Sequence, residues 1–214
     1  MTSRRMAVPA ALFALALVAA GCGSDPTQEE EAAASAPSPS STVVVPESVE
    51  VSEQGTELGF GETATVVHEP TQNRGSVLEL TVTAARKARL SDLSGYALDD
   101  RARASTPYYV EVSVANVGED DLGRVPVPLW AVDGDDRLIQ ASGFTAGFEP
   151  CPSGPLPEPF GPGDSIETCL VYLLPDGGEL AAVSYRPAQE FAPIVWEGEV
   201  AGPPARERRK RRRG

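Results

Sequence analysis

Few side chains in this sequence could do chemistry at neutral pH: three cysteines and one histidine in 214 residues. Cys151 and Cys169 lie too far apart for a C-x-x-C redox motif, and the lone His68 gives a metal site little to work with. His68 is the only side chain whose ordinary pKa sits near neutrality, and Glu69 follows it. A nucleophile would need a base placed beside it, yet no Gly-x-Ser-x-Gly elbow or comparable signature occurs, so His68 reads as a strand-end histidine. Asp133-Gly134-Asp135-Asp136 sets oxygen ligands close together as calcium loops do. An EF-hand loop carries glutamate at its twelfth position, which counted from Asp133 is Phe144, so a hairpin turn is expected. Glu119-Asp120-Asp121 and Asp99-Asp100 read as solvated loop carboxylates, with weak cation binding left open. No catalytic residue, metal ligand or cofactor is assigned.

Cys22 has a different setting. Arg4 and Arg5 precede an apolar run from Met6 to Ala20, followed by Gly21-Cys22, the order of regions in a secretory signal. Pro9 interrupts the run, which falls short of the roughly 20 residues a membrane-crossing helix needs. Leu17-Val18-Ala19-Ala20-Gly21-Cys22 resembles a lipobox, with Ala19 where leucine is usual. The resemblance implies diacylglycerol on the Cys22 thiol and cleavage just before it, making residues 1–21 a lipoprotein signal peptide. An ordinary signal cleaved nearby, leaving Cys22 a spare thiol, is the alternative. Two acyl chains would anchor the protein stably. Outside the cytoplasm, Cys151 and Cys169 form an even pair and are expected to be disulfide-bonded. A loop of that length stabilises a fold by about 3 kcal/mol in the chain-entropy account.

The formal net charge of −13 is unevenly spread. Arg4 and Arg5 belong to the signal, and seven of the other sixteen basic residues fall between Arg206 and Arg213. An acidic body precedes a basic tail, which argues against nucleic acid as a partner. Arg206, Arg208, Arg209, Lys210, Arg211, Arg212 and Arg213 are candidates for contact with an anionic surface, where each basic residue contributes about 1 kcal/mol. The alternatives for the tail, residues 201–214, are solvation, folding onto the acidic body, or a partner.

The elements that would position these groups begin after a linker. From Cys22 to Glu57 the chain is rich in Ser, Pro, Glu, Thr and Ala, including Glu29-Glu30-Glu31 and Ala36-Pro37-Ser38-Pro39-Ser40. It holds too little apolar surface to offset its ordering entropy, so it is expected to be a disordered stalk spanning on the order of 30 Å. Val43-Val44-Val45 reads as a sticky spot in that stalk or a short strand. Residues 58–200 then show a period of two. Leu78, Leu80, Val82 and Ala84 alternate with Glu79, Thr81 and Thr83, and Val110, Val112 and Val114 alternate with Tyr109, Glu111 and Ser113, as half-buried strands do. Further strands are predicted over 62–68, 127–133, 137–141, 165–174, 180–186 and 194–200, with a short helix near 97–104. The proline-dense stretch from Pro150 to Gly163 should be a stiff loop, stapled to the next strand by the cysteine pair. Trp130 and Trp196 are expected to fill the core, with a ligand groove rimmed by either as the alternative. Seven or eight short strands with these turns predict an all-β two-sheet sandwich.

Several segments carry a resemblance: Leu78-Glu79-Leu80-Thr81-Val82-Thr83, the run from Tyr108 to Gly118 ending Asn116-Val117-Gly118, Leu129 to Leu138 with its Asp-Gly turn, and Gly161-Pro162-Gly163-Asp164-Ser165. Their rhythm resembles an immunoglobulin-like family of secreted bacterial proteins and lipoproteins that includes the mycobacterial immunoprotective extracellular antigen. The resemblance covers most of Gly59 to Pro187 and implies an immunoglobulin-like sandwich; it brings no catalytic residues. The expected function is therefore a non-catalytic, membrane-tethered module on the extracytoplasmic face, binding an envelope protein or an anionic envelope polymer. The alternative is a small-ligand or metal-binding lipoprotein serving a transporter or sensor, which a deep apolar pocket with converging polar groups would favour. An enzyme would need His68 clustered with a carboxylate and a nucleophile.

Overall fold

The period-two segments become hydrogen-bonded strands in the computed structural model, which describes residues 43–144 and 147–203. In chain order they are β1 (Glu57–Gly59), β2 (Thr63–Thr71), β3 (Arg74–Lys87), β4 (Thr106–Asn116), β5 (Trp130–Asp133), β6 (Leu138–Gln140), β7 (Ser165–Leu174), β8 (Leu180–Tyr185), β9 (Ile194–Glu197) and β10 (Val200–Ala201). A single helical turn, α1 (Asp100–Arg103), precedes β4. The fold is all-β with two sheets. One runs β1-β9-β8-β5-β6, the other β10-β3-β4-β7, with β2 paired to β3.

Leu78, Leu80 and Val82 join Val110, Val112 and Val114 in a core shared with Ala131, Val183 and Trp196 of the opposite sheet. Each aliphatic side chain so buried contributes roughly 2 kcal/mol. Ala84 departs from the expected face. The β3–β4 register shifts between Val82 and Ala84, and this bulge turns Ala84 outward and puts Ala85 into the core instead.

Two strands and the helix differ from the expected bounds. The segment from Val125 to Leu129 buries Val125, Val127 and Leu129, but β5 starts only at Trp130 because Pro126 and Pro128 have no N–H for a ladder. The 194–200 strand splits at Gly198, where an added Cβ would strike the Phe60 ring. β9 stays in the first sheet, and β10 crosses to lie parallel to β3. The predicted helix is one turn only, capped by Asp99, which accepts a hydrogen bond from Ala102 N at 2.7 Å.

The chain meets the sheets before Leu58. Ser52 N donates to the Thr65 carbonyl at 2.8 Å and Gly55 N to the Ala192 carbonyl at 3.0 Å, and β1 then adds in parallel to β9. Val43-Val44-Val45 is not a strand, and Val44 is exposed. The stretch from Pro150 to Gly163 is the expected irregular loop, and it also closes the core: Leu156 and Phe160 are buried, and Leu156 N donates to the Val125 carbonyl at 2.9 Å.

Asn116, at the end of β4, ties this loop to the sheet. Its Oδ1 accepts from Ser76 Oγ at 2.7 Å and Gly118 N at 3.2 Å. Its Nδ2 donates to the Asp120 and Phe160 carbonyls, both at 2.8 Å. All this occurs at a fully buried position, where unmade hydrogen bonds are costly.

Candidate functional site

Cys151 and Cys169 are joined in a disulfide, their Cα atoms 5.2 Å apart. Cys169 stands on the outer face of β7, opposite Glu111 of β4. The bridge brings Phe148 and Cys151 into a second hydrophobic cluster with Leu93, Tyr109 and Val171. Tyr96, Phe144 and Phe148 stack there edge-on or face to face. This cluster is packing, and the cysteines are consumed in it. Cys22, residues 1–21, most of the stalk, and the tail from Arg206 to Arg213 lie outside the described residues.

The acidic motifs are occupied by their own backbone. Asp133 is enclosed, with 1% of its side chain exposed. It accepts from Asp135 N at 3.0 Å, Arg137 N at 2.9 Å and Arg137 Nε at 2.6 Å. Burial pushes its carboxyl upward, but the Arg137 and Asp135 donors outweigh burial and hold it below the usual carboxylate range. This is the hairpin turn between β5 and β6, with Asp136 in the left-handed region. Asp121 accepts from Phe160 N at 2.6 Å and Gly123 N at 3.0 Å, with Arg74 3.5 Å away, and those hydrogen bonds likewise lower it. Among the described residues no three of His, Cys, Asp and Glu converge as metal ligands would.

A concavity with mixed chemistry lies where β2 and β8 end and β5 begins. It is an open cleft of about 260 Å³, rimmed by Trp130, Gln140, Arg186 and Pro187, with Pro126, Pro128 and His68 among its walls. Strand pairing explains the placement. Trp130 stands opposite Gln140 of β6 and Ser184 of β8, so the three share one face. The neighbouring Ala131 takes the core-facing position. Trp130 is therefore only half-buried, contrary to its expected place in the core. Trp196 does fill the core, fully buried, with its Nε1 donating to the Glu62 carbonyl at 2.9 Å.

His68 is buried, its ring 6.1 Å from that of Tyr185 in edge-on contact, and its Nδ1 has no hydrogen-bond partner. Burial lowers its pKa to about 4, so the ring is neutral at pH 7. The Tyr185 hydroxyl donates elsewhere, to the Val67 carbonyl at 2.7 Å. Among the described residues neither a carboxylate nor a nucleophile is hydrogen-bonded to His68. Ser184 Oγ, opposite Trp130, is also buried without a partner.

Arg186 follows β8 directly and donates from Nη2 to the Gln189 carbonyl. It meets no carboxylate among the described residues, although 26 carboxylates accompany nine arginines and lysines between residues 43 and 203. Most other arginines here have acidic or aromatic partners: Arg137 pairs with Asp133, Asp135 and Asp176, Arg124 with Glu158, and Arg86 lies over Tyr109. Neither Arg186 nor Gln140 stands out in the linear sequence. The usable hint is that Arg186, at a strand end before Pro187, is one of few cations in an acidic body.

The described residues define a two-sheet β protein with an open, partly apolar cleft that carries Arg186, which pairs with no carboxylate among them. No protein-family model, no curated protein and no solved structure matches the chain.

Proposed function

We propose that this chain is an extracytoplasmic lipoprotein, acylated on Cys22, whose body is an immunoglobulin-like, non-catalytic module that binds an envelope partner at the Trp130 cleft. The signal-like N-terminus and the lipobox resemblance support the anchor. The sheet pair and the Asn116-Val117-Gly118 and Asp-Gly turns support the immunoglobulin-like reading. The basic residues from Arg206 to Arg213 extend the same function, adding electrostatic contact with anionic envelope material.

The observation that carries binding is the pairing of a half-exposed tryptophan with an arginine lacking any carboxylate. Tryptophan and arginine dominate the energetics of protein interfaces. A binding role is also supported by His68 being buried and neutral, with Ser76, opposite it on β3, donating to Asn116 Oδ1 instead.

The test is capture from detergent-solubilised envelope on the immobilised full chain, wild type against Trp130→Ala combined with Arg186→Gln. Retention of a discrete partner by the wild type and its loss from the double variant is the expected result. Equal retention by both, or none by either, contradicts the proposal. Near-ultraviolet circular dichroism of both proteins checks that packing around Trp196 is unchanged.

A further inference from the structure

The cleft's lining also narrows what its occupant is. Proline and aliphatic groups supply most of the wall, while Gln140 and Arg186 are the polar side chains on its rim. A glycan would bring many hydroxyls, each losing water against a wall with few hydrogen-bonding groups. A proline-containing peptide brings few, since proline has no N–H and its extended helix is preformed, and such peptides dock in aromatic-lined grooves.

The shape favours an extended chain. The cleft continues past Pro126, Val127, Gln140 and Ala141, which it shares with a second hollow of about 560 Å³ reaching Ser142, Phe144 and Pro155. Small-molecule sites enclose most of their ligand, whereas this trough is open along its length. Charge sets the sign of the occupant. Among the described residues no Asp or Glu lines either hollow. At one end Arg186 has no carboxylate, while at the other Arg124 is already paired with Glu158. An anionic group at the Arg186 end meets an unneutralised guanidinium in an otherwise repelling body.

We infer that the trough binds an extended, proline-containing acidic peptide, with a peptide carboxylate on Arg186 and a proline ring against Trp130. This rests on the Trp130 cleft being the binding site proposed above, and adds the partner's chemistry.

The experiment follows tryptophan emission of the full chain during titration with four probes. These are a short synthetic peptide of alternating glutamate and proline, its lysine–proline counterpart, a glutamate–alanine peptide, and polygalacturonate as an anionic glycan. Trp196 is fully buried, so Trp130 reports. The expected result is saturable binding of the glutamate–proline peptide, weakened by added salt. Arg186→Gln should weaken it about tenfold, a loss of about 1.4 kcal/mol. Arg186→Lys should restore part of that loss by returning charge without the planar fork. Binding followed by tryptophan-independent calorimetry should be lost in Trp130→Phe to a lesser degree than in Trp130→Ala.

The inference is overturned if the lysine–proline or glutamate–alanine peptide binds as tightly, if polygalacturonate binds better, or if no peptide binds. Failure here with envelope capture still dependent on Trp130 removes the peptide assignment and leaves the functional proposal standing. Failure of both removes the cleft as a site.

Discussion

Lowering the pH from 7 to 5 should cost the fold about 2 kcal/mol through His68 alone. Burial lowers its pKa from 6.5 to about 4, because the imidazolium would lose hydration that the surrounding side chains do not replace. The unfolded chain therefore takes up a proton at this position before the folded chain does. Stability from this group is intact above the unfolded value, falls as pH drops from about 6.5 towards 4, and levels off below. Each pKa unit is worth about 1.4 kcal/mol, which gives about 2 kcal/mol at pH 5 and about 3 kcal/mol at the limit. Asp121 and Asp133 also lose stability on acidification, since their carboxyls are lowered in the fold. They are common to wild type and a His68→Leu variant, so the difference between the two isolates the imidazole. Urea unfolding of both proteins at pH 7, 6 and 5, with the disulfide intact, supplies the measurement. The wild type should lose about 2 kcal/mol more than His68→Leu across that range. Parallel loss in the two proteins would refute the claim that His68 is held neutral by burial.

Other consequences are as specific. Asn116→Ala removes the partner of the Asp120 carbonyl and of Ser76 Oγ, while the Phe160 carbonyl keeps Leu122 N and Gly118 N keeps the Val77 carbonyl, and should cost about 2–4 kcal/mol in chemical denaturation; a loss under 1 kcal/mol would remove Asn116 as the link between loop and sheet. Gly118→Ala places a methyl against Ser76 Oγ and Val77 N, and should lower the unfolding midpoint while a Gly147→Ala control, with open space around it, leaves it unchanged. Replacing Cys151 and Cys169 together by serine should cost about 3 kcal/mol and, by freeing Phe148, raise exchange of amide hydrogens around Tyr96 and Tyr109 before those of β3. Cys22→Ser should abolish incorporation of labelled fatty acid in cells; persistent labelling would disprove the anchor.

The parts of the fold legible in the sequence were those governed by alternation within one strand. β4 and β7 keep it as a choice of face, although Tyr109, Cys169 and Val171 on the outer face are buried too, beneath the second cluster, and the predicted 165–174 segment matches β7. Legibility failed where a backbone event resets the pattern. The bulge after Val82 exchanges Ala84 for Ala85, and the clash of a Cβ at Gly198 with Phe60 marks a change of sheet. β1 is short, and its register comes from pairing with β9 across the chain rather than from its own residues. The disulfide could be read because assigning Cys22 to the lipobox resemblance leaves Cys151 and Cys169 as one pair, and that pair is bonded. The cleft could not. Trp130 is drawn out of the core by Ala131 taking the inward position, and Arg186 matters for the carboxylates it does not meet, which only the packed strands reveal.

The central question for this protein is whether the Trp130 cleft meets a partner in the envelope. Photo-crosslinking in intact cells tests this directly, with the crosslinking residue placed at Gln140 on the cleft rim and, separately, at Glu111, an exposed position of β4 outside the cleft. A discrete adduct from position 140 that is absent from position 111 and disappears with Trp130→Ala is the predicted outcome. No adduct at position 140, or the same adducts from both positions, would contradict it.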